Sequence, residues 1–168
     1  MAISQFNLDN GQRAERKLLI TVAEWTEGSS QVREVLGTRT EDSSIEYNAD
    51  ISTTTDILGN NYTDINSTQP QQDFDPYLVL GGSKLGAKLN DIRKRNALSE
   101  LNSFTMYIIT AFVGAAGAYE AEKHEDCTIT YNSFGGDSNV NFPISVYFSN
   151  KITNGTVDKL ADDFTFTA

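Results

Sequence analysis

The residues best suited to chemistry in this chain are few. "KHEDC" sets His124, Glu125, Asp126 and Cys127 side by side, and these are the only histidine and the only cysteine. Zinc sites use separated ligand pairs, because adjacent residues of a strand point to opposite faces. A metal here would have to borrow carboxylates, so structural roles are expected for His124 and Cys127, with no metal bound. A Ser/His/Asp set would also depend on His124, and no Gly-x-Ser-x-Gly elbow is present. "DFDP" could offer Asp73 and Asp75 to a divalent cation or a sugar, but Asp before Pro is also an ordinary turn. "YLVLGGSKLGAK" imitates a phosphate loop. That motif needs Lys directly after its second Gly and then a hydroxyl for Mg²⁺, whereas here Ala87 follows Gly86 and Leu89 follows Lys88. A glycine-rich start to a helix is the better reading. No enzyme signature emerges and no cofactor is expected.

The elements around these residues are mostly strands. "KLLITVAEW" and "QVREVLGTR" flank the turn "TEGSS" and predict a β-hairpin. "SSIEYNADIST" alternates Ile45, Tyr47, Ala49 and Ile51 against polar residues, which predicts a half-buried strand. "TDILGNNYTDINSTQPQQDFDPY", residues 55–77, has no sustained period and reads as a long extended loop. Leu85, Leu89 and Ile92 then recur at i, i+4 and i+7, predicting one amphipathic helix over 83–96 with those three on its core face. Gly81, Gly82 and Gly86 weaken its start. "SFTMYIITAF" is apolar on both faces and predicts a central strand. "VGAAGAYEAEKHED" turns into a charged strand that "CTITYNSF" continues, and "GGDSN" is a turn before "VNFPISVYFSN". Asn154-Gly155 is a type I′ hairpin signal. "DDFTFTA" predicts an edge strand or an arm. The fold class is mainly β, a small sandwich or half-barrel with one flanking helix. One domain is expected over 1–168, with an N-terminal arm at 1–12 and a C-terminal arm or edge strand at 158–168.

The 168 residues carry a net charge of −10, from 13 basic and 23 acidic side chains. Such a chain repels nucleic acid. Its one basic cluster, Lys84, Lys88, Arg93, Lys94 and Arg95, reads as the solvated face of the helix. The lone Cys127 excludes an intramolecular disulfide. The first residues have no apolar signal-peptide core, and the longest apolar run, "MYIITAFVGAAGAY", is too short and glycine-rich to span a membrane. Synthesis in the cytoplasm and no membrane binding are therefore expected. The Asn61, Asn66 and Asn154 glycosylation patterns read as products of an Asn/Thr-rich surface.

Two stretches resemble the major tail (tail tube) proteins of long-tailed bacteriophages and of phage-derived tail particles. The first is "SIEYNADISTTTDILGN", followed by the polar segment and by "DPY" ahead of a helix. The second is "YNSFGGDSNVNFPISVYFSNKITNGTV". Together they cover about half of the chain. The resemblance implies a tail-tube-type fold and hexameric rings stacked into a tube, in a virion tail. Neighbouring sheets would fuse into an inner barrel through which DNA passes without specific contacts. It further implies contacts with tape-measure, terminator and baseplate or tip proteins. Residues 55–77 would be an assembly loop reaching the next subunit or ring, with Ile57, Leu58, Tyr62, Ile65, Phe74 and Tyr77 as apolar anchors.

Two other readings remain. One is a carbohydrate-binding or adhesive β-sandwich module using Trp25, Tyr62 and Tyr77 as exposed aromatics with Asp73 and Asp75. The other is a different tail component, such as a terminator or connector.

Overall fold

A computed structural model of the chain describes residues 3–168. Two apolar, β-branched runs around Gly28 form the expected hairpin, β1 (Leu19–Glu27) and β2 (Ser30–Val35). The central strand β7 (Phe104–Ala115) pairs with β1 on one side and with the 14-residue β8 (Ala118–Tyr131) on the other.

β8 is long enough to serve two parts of the sheet. Its first half pairs with β10 (Ile152–Val157), and its second half pairs with β9 (Ile144–Tyr147). The change of partner falls where the β7–β8 register slips and Asp126 takes a positive φ of 56°. An extra residue of this kind bends a strand and increases its twist. β6 (Gln71–Phe74) continues from β9, and the two-residue β3 (Ile45–Glu46) closes that edge. The sheet order is β2-β1-β7-β8-β9-β6-β3, with β10 and β11 (Phe166–Thr167) branching from β8.

The main core lies between these parts of the sheet and the helix. Trp25, Phe104 and Met106 meet Phe74, Ile129, Ile144 and Val146 across it. α1 (Lys84–Arg95) buries Leu85, Leu89 and Ile92 completely in the same core, as the i, i+4, i+7 spacing requires. The apolar residues on the other face of β7 are buried as well. Val22, Tyr107, Ile109, Ala121 and Val157 are covered by Phe164 and packed against Phe166, both from the C-terminal segment. Arg33 fixes that segment by lying 4.1 Å over the Phe164 ring, donating to the Phe164 carbonyl and pairing with buried Glu24.

The glycines before α1 do not leave its start weak. Ser83 caps it by accepting from Gly86 N–H, and Glu34 of β2 accepts from the N–H groups of Lys84 and Leu85. A carboxylate suits a helix N-terminus because it satisfies free donors and complements the dipole. The place a phosphate would take in a phosphate loop is thus occupied by Glu34. Replacing Glu34 with Ala is expected to lower stability by about 1–2 kcal/mol, the scale of a lost helix cap. Urea denaturation checks this, and an unchanged midpoint would show that Ser83 alone suffices.

Three expectations on strands need correction. Residues 43–53 do not form one half-buried strand. The chain turns at Asn48, where φ is 45°, and Tyr47 and Ile51 both stand in solvent. Asn154-Gly155 is not a turn and lies inside β10. A Cβ on Gly155 would collide with the Thr167 carbonyl and the Phe166 ring, so this glycine admits the close approach of β11 rather than a reversal of the chain. Residues 55–77 do not form an irregular loop either. Most of them belong to strands, described below. The expected N-terminal arm starts with Met1 and Ala2, which lie outside the described residues. From Phe6 it bridges to the end of β7, where Asn7 N–H donates to the Phe112 carbonyl.

Candidate functional site

His124 and Cys127 are both buried on β8. The His124 ring reaches the Ser149 carbonyl with Nδ1 and the Glu122 carboxylate with Nε2, each at 3.1 Å. Burial pushes the Cys127 thiol pKa up, which makes it a poorer nucleophile. Among the described residues, no group of three His, Cys, Asp or Glu side chains converges to hold a metal ion. No described helix is long and apolar enough to cross a membrane.

The most distinctive surface is an exposed hairpin. β4 (Asp50–Thr55) and β5 (Asn61–Ser67) pair only with each other and form a separate two-stranded sheet. Their composition explains the pairing. Ile51 faces Ile65 and Thr53 faces Thr63, so β-branched residues oppose one another directly across the ladder. The other face presents Ser52 and Thr54 opposite Asp64 and Tyr62. The hairpin joins the body where Gln69 N–H donates to the Tyr47 carbonyl at 2.8 Å.

Asp56 builds the tip. Its carboxylate accepts from the N–H groups of Leu58 and Asn60, from the Asn60 amide and from the Tyr62 hydroxyl, all between 2.8 and 3.0 Å. Gly59, at φ 83°, takes the left-handed position that closes the turn. These bonds, led by those from the Asn60 side chain and backbone, hold the Asp56 pKa at about 2 against an ordinary 3.8. Because the folded value is depressed, the stabilisation of the turn is present above 3.8 and is lost as pH falls toward about 2. The Leu58 and Asn60 amide resonances are therefore expected to shift with a midpoint near 2. A midpoint at 3.8 would show a free carboxylate and no preformed tip.

The six proposed contact residues divide into two groups. Ile57 and Leu58 at the tip are almost fully exposed, and Tyr62 and Ile65 on β5 are 52% and 67% exposed. Phe74 and Tyr77, at 1% and 6%, belong to the core of this chain and cannot also serve as anchors for another. Phe74 ends β6 and packs in the main core. The Tyr77 hydroxyl meets Glu34 and Ser83 beneath the start of α1, and burial with the nearby Glu34 charge raises its pKa. Trp25 is buried too, so the aromatic platform expected of a sugar-binding module does not form.

Ile51 joins the exposed apolar residues of the arm, although its alternation with polar neighbours predicts burial. The turn itself has a signal in "TTTDILGNNYT". Asp and Gly at the first and fourth positions favour a type I turn, and the flanking threonines favour strands.

No family model matches the chain, and no curated protein matches it. Three solved structures are similar over most of its length. The tube-terminating cap of the anti-feeding prophage shares 17% identity, with TM-score 0.48, covering 93% of this chain and 99% of that one. A chain of the sheath–tube complex of an extracellular contractile injection system, in its extended state, shares 13% (TM-score 0.46; 88% and 94% covered). A chain of the anti-feeding prophage baseplate shares 7% (TM-score 0.46; 88% and 97% covered). At these identities and TM-scores the likeness assigns no role to any residue of this chain.

Proposed function

We propose that this chain is a structural, non-enzymatic protein of a phage tail or phage-derived tail particle. It assembles with copies of itself into hexameric rings that stack as a tube, a conduit for DNA, and it meets other tail proteins at the tube ends. The observation that carries this reading is the β4–β5 hairpin. An isolated two-stranded hairpin is marginal in water, yet this one has a tip built by Asp56 and leaves Ile51, Ile57, Leu58 and Ile65 exposed. A strand pair that buries no face on its own body is suited to burying one on another.

Three further features support the reading. β2 has a single strand partner, so beyond the Lys84 ammonium that meets the Arg33 carbonyl its outer edge offers a place for a neighbouring sheet to continue. The two stretches that resemble tail tube proteins map onto the region around the hairpin and onto the segment from the end of β8 through β9 and β10. The acidic surface also suits a conduit that must not retain DNA phosphates.

Locating the chain in its native particle tests the proposal. An antibody against the chain is expected to decorate the tail along its whole length in electron micrographs. Decoration at one end alone would replace the tube reading with a terminator or connector. Decoration of fibres or head would overturn it.

A further inference from the structure

Charge is segregated along this chain. Residues 40–83 hold eight acidic side chains and no lysine or arginine, whereas 84–95, the span of α1, holds five of the 13 cations and one acid. The hairpin lies wholly within the acidic stretch. Asp50 and Asp64 fall on the same face of it as Tyr62.

Three of the helix cations are spent within the chain. Lys84 pairs with Asp162, Lys88 with Glu100, and Arg95 with Asp91 and Glu100. Among the described residues, Arg93 and Lys94 have no carboxylate partner, and both are exposed. Arg93 lies 4.4 Å over the ring of Phe134, which is about half exposed. The Phe134 segment continues through the Gly135–Asn141 bridge to Val140, whose carbonyl accepts from Val79 N–H, and both valines are also about half exposed. An unpaired cationic helix end therefore adjoins an exposed apolar corner.

We infer that this corner, formed by Arg93, Lys94, Phe134, Val140 and Val79, is the docking site for the β4–β5 hairpin of a second copy of this chain. Ile57 and Leu58 cover its apolar residues, and Asp50 and Asp64 meet its two cations. This inference rests on the assembly reading and supplies the receiving surface for it. Copies bearing −10 each repel one another at long range, so a contact that brings opposite charges together locally is favoured over one that does not. The two surfaces differ and lie apart in sequence, which makes the contact heterologous, the type that yields rings or continuing stacks.

The test is a charge exchange. One variant carries Asp50→Lys and Asp64→Lys, and the other carries Arg93→Glu and Lys94→Glu. All four positions are exposed, so circular dichroism and thermal melts of each monomer should match wild type. Assembly is followed by sedimentation and electron microscopy at about 0.1 M salt, where screening extends about 10 Å. Each variant alone is expected to need at least about 100-fold more protein to assemble, because like charges then face each other. An equimolar mixture is expected to regain assembly, since each hairpin then meets an oppositely charged helix on the other variant. If either variant assembles alone as wild type does, or the mixture stays as poor as its components, the docking site is wrong while the tube reading stands. If wild type itself does not self-associate, the docking site falls. Antibody decoration of the native particle then decides the tube reading separately.

Discussion

Changing Leu58, Tyr62 and Ile65 to Ser together is expected to abolish assembly and leave the monomer folded. The three side chains stand in solvent, and the hairpin that carries them pairs with no other strand. Exposed substitutions of this kind usually change stability by no more than about 0.5 kcal/mol each. Binding energy, by contrast, concentrates in a few buried anchors, each worth about 2 kcal/mol or more when truncated. Three lost anchors at every subunit contact therefore exceed what an ordinary interface can spare. Thermal melts of the monomer and electron microscopy of concentrated protein measure the two halves of the expectation. Tubes of normal length from the triple variant would show that the hairpin is not the assembly contact. A melt lowered by several degrees would show that the arm belongs to the cooperative fold of the monomer.

The second large effect is expected at Phe74, four residues after Pro70, where the chain has returned from the hairpin to the body. Phe74→Ala should destabilise the monomer by about 3–5 kcal/mol, the range for emptying an aromatic core site. Phe74 is 1% exposed and ends β6 opposite Ile144 of β9, within the main cluster. Urea denaturation of the monomer measures the loss directly. A loss below about 1 kcal/mol, together with failed assembly, would return Phe74 to the interface and contradict its burial. Phe74 and Leu58 thus make opposite expectations within one stretch of sequence. One variant loses the fold and the other loses only the assembly.

Those two residues also mark how far periodicity carries. Leu85, Leu89 and Ile92 are readable as a buried helix face because 3.6-residue geometry puts them on one stripe, and any helix on this body would bury that stripe. The central position of "SFTMYIITAF" is readable for a similar reason. A strand apolar on both faces must be covered twice, and α1 with its core covers one side of β7 while the C-terminal segment covers the other. Strand pattern alone does not say which body covers a face. Ile45 and Ile51 alternate alike, but the turn at Asn48 sends the second into an arm that touches no core. Phe74 and Tyr77 share a polar context with Tyr62 and Ile65, yet β6 inserts between β3 and β9 and carries Phe74 inward. Asn154-Gly155 has the composition of a tight turn, but the close approach of Phe166 from the end of the chain makes the glycine part of a strand. The stripe of α1 and the two-sided apolarity of β7 depend on neighbours within a few residues and so are written in the pattern, whereas the strand at Gly155 depends on a distant segment. The division between a face buried within the chain and a face left exposed depends on contacts between segments far apart in sequence, and it exists only once the sheet has closed.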